Sequence, residues 1–155
     1  MARIKLELPS AFPFSTTLTV RVTDLNYGNH LGNDALLGLI HEARVRFLAA
    51  LGFSELDVAG VGTLMADCAI VYKAQGFLGD QLTVAVAAGE FSRVGCDLFY
   101  RLTRAGSELA RAKTGLVFYD YRTQKTRPVP EAFRQALACA GTGAWSCTGD
   151  RPGPG

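Results

Sequence analysis

The sequence predicts an α+β domain in which a five-stranded antiparallel sheet is wrapped around one long helix. Strand-like runs outnumber helical ones along the chain. The single long helical run is apolar on most sides, so something must enclose it. The strands after it are long and their links short, which favours antiparallel neighbours. A chain of 155 residues makes one domain, and 48% hydrophobic residues suffice for a real core.

Residues 14–22 alternate in polarity and read as the first strand. Asn33 or Asp34 then caps a helix that runs to about Leu51, where Gly52 stops it. Leu36, Leu37, Ile40, Phe47, Leu48 and Leu51 form a wide apolar stripe, with Ala and Gly filling the rest. A curved sheet is the obvious wrapper for it. Residues 63–73, 81–91, 95–103 and 109–121 read as four further strands, parted by turn signals at 76–80, 92–95 and 104–107. Consecutive strands should therefore pair. Pro128-Val129-Pro130-Glu131 opens a short last helix over 131–137. The domain spans residues 1–140. Residues 141–155, rich in Gly, Pro, Ser and Thr, are expected to form a disordered tail despite Trp145. One sheet of this size cannot cover itself, a long helix and its own edge strands, so a homo-oligomer built on a dimer is expected.

A net charge of +2 is too small for a nucleic-acid surface. Arg101, Arg104, Arg111 and Lys113 fall close together in two neighbouring strands, as a solvated strand face or as a rim that meets phosphates. Cys68, Cys96, Cys139 and Cys147 show neither a disulfide framework nor a metal-ligand spacing. Residues 1–9 carry no signal-peptide core, and no apolar run reaches the ~18 residues of a membrane helix. A soluble, reducing, cytoplasmic setting is the expectation, with no membrane partner and no metal or other cofactor.

The stretch from Val22 to Asp34 carries the chemistry. It places Asp24, Asn26, Asn29, His30 and Asn33 in a turn between the first strand and the long helix. A helix start offers free N–H groups and partial positive charge, and acid–base side chains beside it can act on a carbonyl those donors polarise. Asp and Asn are also ordinary capping and turn residues in such a place.

Asp24-Leu25-Asn26-Tyr27-Gly28-Asn29-His30-Leu31-Gly32-Asn33, followed by Glu42-Ala43-Arg44, resembles the turn and helix of hotdog-fold acyl-CoA thioesterases of the 4-hydroxybenzoyl-CoA thioesterase-like branch. Gly79-Asp80-Gln81-Leu82 and Val117-Phe118-Tyr119-Asp120 resemble that family's turn before the third strand and its last strand end. The match spans about residues 15–137. It implies a hotdog fold, hydrolysis of an acyl thioester of coenzyme A or of a carrier protein, and a helix-terminal N–H near Asn33 that bonds the thioester oxygen. Asp24 falls on the family's first Asp and Asn26 on its second, which carries the catalytic carboxylate in several members. An amide cannot fill that role. His30 and Asn33 match the family His and Asn, while Gly32 replaces a usual Asn.

On this reading Asn26 and His30 orient water, and Asp67 or Asp24 activates it. Asp67 interrupts the apolar run 64–71, where a carboxylate is costly unless paired or functional. Gly32, Asn33, Leu36, Leu37 and Ile40 are expected to hold the thioester and line the acyl tunnel. Glu42 reads first as an i,i+4 partner of Arg46. Two other functions remain open. Asp24-Leu25-Asn26 with His30 echoes hotdog hydratases, with one residue inserted and a Pro missing. A non-catalytic acyl-thioester binding protein would need no carboxylate at all.

Overall fold

The computed structural model describes residues 1–141. The elements are β1 (Phe14–Thr19), a 3-10 turn at Val22–Asp24, α1 (Asn33–Ala50), β2 (Gly62–Tyr72), β3 (Gln81–Gly89), β4 (Gly95–Arg104), β5 (Ser107–Asp120), β6 (Lys125–Thr126) and α2 (Glu131–Gly141). Residues 142–155, with Trp145, Cys147 and all but the first residue of the expected tail, lie outside the described residues; Gly141 itself ends α2.

One antiparallel sheet runs in the order β1-β3-β4-β5-β2, with β6 paired to β5. Hairpins join β3 to β4 and β4 to β5 as the short links require. Consecutive pairing fails at β2, which lies beside β5 at the opposite edge from β1. The segment from Lys73 to Asp80 carries the chain back across, held by Leu31 N–H donating to Gly76 O and by Val20 N–H donating to Asp80 O. β6 was not expected; two residues carry no alternation to read.

α1 is 18 residues long. Its cap differs from expectation: Gly32 occupies the N-cap, and Asn33 and Asp34 are already helical. The C-terminus is as read. Gly52 has φ +88, and Gly52 N–H and Phe53 N–H donate to Ala49 O and Leu48 O. That Schellman pattern needs a left-handed residue, for which glycine costs nothing.

Leu36, Leu39, Ile40, Ala43, Phe47 and Leu48 of α1 share one core with the alternate residues of the sheet, among them Leu82, Val84, Leu98, Tyr100, Leu102, Ala112, Leu116 and Phe118. α2 closes one end, where the Phe133 ring meets those of Phe53, Phe91 and Phe118. The core face of β5 is set by Ala110, Ala112, Thr114, Leu116 and Phe118, all buried; Arg111, Lys113 and Gly115 face the other side.

A bulge in β2 decides where its polar residues point. Met65 pairs with Leu116, and Asp67 pairs with Gly115, so Ala66 is the extra residue. Before it, Thr63 and Met65 share the core face with Phe118 and Leu116. After it, Cys68, Ile70 and Tyr72 do, opposite Thr114, Ala112 and Ala110. Asp67 is thereby turned to the outer face.

Candidate functional site

The turn from Leu25 to Leu31 closes as a small loop. Leu25 and Leu31 bridge at its base, Asn26 N–H donates to His30 O, and Asn29 takes φ +60. Asn26 Oδ1 accepts from Gly28 N–H at 2.9 Å and from His30 N–H at 3.3 Å. Its side-chain oxygen is therefore spent on the turn, which is the ordinary role of Asn there. The His30 ring packs edge-on against Phe77, with centroids 5.2 Å apart. His30 Nδ1 is buried without a partner among the described residues.

Asp24 is buried and wholly engaged by Arg21. It accepts from Arg21 N–H at 2.8 Å and from the guanidinium at 3.2 Å. Burial alone pushes its carboxyl up, but the Arg21 hydrogen bonds outweigh burial and hold it below the usual carboxylate range. A residue so committed locks the 3-10 turn and does not reach water.

Asp67 lies apart from this turn. On the outer face it accepts from Lys113 Nζ at 2.8 Å and Gly115 N–H at 2.9 Å. The Lys113 bond, against a small desolvation cost, lowers its carboxyl below the ordinary value. The sheet separates it from α1, Asn26 and His30. Gly115 is glycine for the same reason, since a Cβ would stand 2.6 Å from Asp67 Oδ1.

The start of α1 keeps the expected donors. Asp34 N–H is covered by Asn33 Oδ1 at 2.8 Å, but Asn33 N–H and Ala35 N–H have no acceptor among the described residues. Tyr72, at the end of β2, donates its hydroxyl to Asn33 O at 3.1 Å. Sequence reasoning used Asp34 only as a cap, yet it is the carboxylate the site offers. It is exposed, has no bonding partner among the described residues, and folds back over Gly32, where a Cβ would stand 2.6 Å from its Oδ1. Its position in the first turn was the available signal. A cavity of about 640 Å³ opens at Asp34 and runs between β1 and α1, past Thr17, Thr23, Gly38 and Glu42.

Of the expected acyl-lining residues, Leu36 and Ile40 are buried in the core. Leu37 remains half-buried, on the side of α1 that faces β2 with Asn33 and Arg44. Glu42 accepts from Arg46 Nε at 2.9 Å, the helical pair expected of it. The four basic strand residues meet protein: Arg104 binds Asp80, Arg111 binds Glu108 and Leu6 O, Lys113 binds Asp67 and Asp97, and Arg101 stacks over Phe12. A phosphate-binding rim is not what they form. Burial pushes the Cys96 thiol up to about 12 and raises that of Cys68, so neither is a ready thiolate nucleophile. Among the described residues, no three His, Cys, Asp or Glu side chains gather as a metal site, and no helix is long and apolar enough to cross a membrane.

The model of the thioesterase-like superfamily matches residues 20–137, from the end of β1 into α2. The chain belongs to the thioesterase-like superfamily. The fold is that of solved thioesterases. The 1,4-dihydroxy-2-naphthoyl-CoA thioesterase of Synechocystis is 22% identical, with a TM-score of 0.73 over 81% of this chain and 95% of that one. A Thermus thermophilus thioesterase, solved with coenzyme A and Zn, is 22% identical with a TM-score of 0.73 over 86% and 98%. The DHNA-CoA thioesterase of Staphylococcus aureus is 19% identical with a TM-score of 0.70 over 83% and 93%. No curated protein matches the chain.

Proposed function

We propose that this member of the superfamily hydrolyses acyl thioesters of coenzyme A to a free acid and the thiol, as an oligomer built on a dimer. One observation carries the reading: the start of α1 sets two uncommitted N–H groups beside an unengaged carboxylate, in a chain of this family. Asn33 N–H and Ala35 N–H hold the thioester oxygen and strengthen as it becomes an oxyanion. Asp34 takes a proton from the attacking water, the water oxygen bonds the acyl carbon, and the carbon–sulfur bond breaks. The proton then passes to the departing thiolate. Asn26 and His30 hold the turn that shapes this end, and His30 presents its Nε2 edge beside Gly28. The bound coenzyme A of the Thermus thermophilus neighbour supports that carrier.

The dimer rests on β2. This 11-residue strand lies at the sheet edge and leaves Met65, Cys68 and Tyr72 exposed on the face that elsewhere forms the core. A cytoplasmic setting fits Cys68 and Cys96, which form no disulfide. The test is thiol release over a panel of acyl-CoA and acyl-carrier-protein thioesters. Turnover that falls with Asp34→Asn supports the reading; no release from any thioester overturns it.

A further inference from the structure

The cavity of about 640 Å³ has β1 on one side and one face of α1 on the other. Ala35, Gly38, Glu42 and Arg46 form the helix wall, and Thr17 and Thr19 belong to the strand wall. Arg46 stands 12 positions after Asp34, about 18 Å along the helix at about 1.5 Å per residue. It closes the far end by donating to Thr16 Oγ1 and Thr17 O of β1. Gly38 lies midway along the helix wall, and a Cβ built there meets nothing within 4 Å. Glycine inside a helix costs stability relative to alanine. Nothing among the described residues fills the room that Gly38 leaves, and that room points to a bound occupant.

The strand wall is a sheet edge. Val20 N–H donates to Asp80 O and Val20 O accepts from Gly79 N–H, on the side of β3. Alternation turns the N–H and C=O groups of Thr17 and Thr19 the other way, and Thr17 O accordingly accepts from Arg46 of α1. Thr17 N–H and both backbone groups of Thr19 are left without a partner among the described residues. Such groups recur at about 6.7 Å, twice the rise of a strand residue. A chain of α-amino-acid residues presents its amides at the same interval, and it meets a free edge as an added strand. The charges of the cavity are matched internally, Arg21 to Asp24 and Arg46 to Glu42, and Asp34 at the mouth adds a carboxylate. A neutral occupant suits these walls, and the diphosphate of coenzyme A does not.

We infer that this cavity binds the acyl group of the substrate, and that the substrate class is N-acylaminoacyl and short peptidyl thioesters, whose amides pair with the edge of β1 in the room that Gly38 leaves. This rests on the thioesterase reading for the position of the thioester at the start of α1. An amide N–H of the acyl group donates to Thr19 O, and an amide C=O accepts from Thr17 N–H or Thr19 N–H. An alkyl chain of the same length covers these edge groups without bonding them, and a site built on hydrogen bonds discriminates against a ligand that lacks them.

Two measurements on the full chain test it. In the first, kcat/KM is compared for N-acetylglycylglycyl-CoA and octanoyl-CoA, whose acyl chains are equally long and share one carrier. The wild type is expected to prefer the diamide by about 10-fold, the worth of one or two net hydrogen bonds. Gly38→Leu puts a side chain into the open room and is expected to bring the ratio to within about twofold of unity, with an unchanged or higher melting temperature. Thr19→Pro removes one edge N–H without touching the ladder to β3, and is expected to lower the ratio as well. In the second, calorimetry compares binding of N-acetylglycylglycine and octanoate to the wild type and Gly38→Leu, with no turnover required. Preference for the diamide acid that Gly38→Leu abolishes, in a protein that hydrolyses neither thioester, supports the cavity and overturns the thioesterase reading alone. Equal turnover and binding of the two chains by the wild type overturns the inference. So does a ratio that survives in Gly38→Leu; if both rates then fall together, the cavity holds the carrier arm instead. A ratio lost in Gly38→Leu but kept in Thr19→Pro overturns the pairing with β1.

Discussion

Three acidic residues, two of them beside the helix start and one on the outer face of the sheet, differ in what they are free to do. Asp24 is fastened to Arg21, Asp67 to Lys113 and Gly115 N–H, and Asp34 to nothing among the described residues. A general base contributes about 10²- to 10⁴-fold. Asp34→Asn is therefore expected to lower kcat by at least ~10²-fold, with little change in melting temperature because the side chain is exposed. Asp67→Asn is expected to leave kcat within about twofold and to cost stability, since it loses the ion pair with Lys113. Steady-state kinetics and thermal unfolding of both variants check this, and a kcat loss confined to Asp67→Asn would return the role to that residue. The sequence motif marks the turn before α1, but the carboxylate that stands unengaged at the helix start, Asp34, reads there only as a cap. Strict alternation places Asp67 on the same face as Met65, toward α1. The extra residue at Ala66 reverses that, and a bulge leaves no periodic trace in one short strand. Asn26 behaves as a turn residue. Asn26→Asp keeps an oxygen for Gly28 N–H and His30 N–H, so it is expected to fold normally, whereas Asn26→Ala frees both donors and is expected to cost about 1 kcal/mol by denaturant titration.

At the scale of elements, α1 was readable in extent because its signals are local. A left-handed Gly52 ends it, and an apolar stripe sets which face meets the sheet. Its packing partners were not readable, because they depend on which strand lies where. The consequence appears at Arg44 and Glu55, joined across the segment that links α1 to β2. Burial pushes the Glu55 carboxyl up, but hydrogen bonds from His41 and Arg44 outweigh it and leave the carboxyl below the ordinary glutamate value. A carboxyl depressed in the folded state stabilises the fold at pH above its unfolded value. That contribution is lost as pH falls through the folded value, so the loss begins below about pH 4.3 and grows with acidification. Unfolding midpoints of the wild type are expected to fall more steeply below that pH than those of Glu55→Gln, which has no carboxyl to protonate. Parallel curves for the two proteins would remove Glu55 from the acid response.

The whole molecule raises the question of its edges. β1 and β2 end the sheet on opposite sides because the Lys73–Asp80 segment, not a hairpin, connects β2 to β3. The β1 edge is partly protected, since Arg46 on α1 donates to Thr17 O and Thr16 Oγ1. The free edge of β2 is covered at its start, where Thr63 N–H donates to Glu55 O and the Tyr121 hydroxyl donates to Thr63 O, while Met65, Cys68 and Tyr72 are exposed large or apolar side chains on a face that is core elsewhere. The remainder of that edge is an invitation to pair with a second copy. Light scattering at micromolar concentration is expected to give twice the chain's mass or a multiple of that. Cys68→Lys places a cation on that face near Arg44, and like charges buried at an interface are costly. It is expected to shift the mass toward one chain while β-sheet circular dichroism is kept. A wild-type mass of one chain would sink the dimer, and a Cys68→Lys protein that stays dimeric would move the contact away from β2.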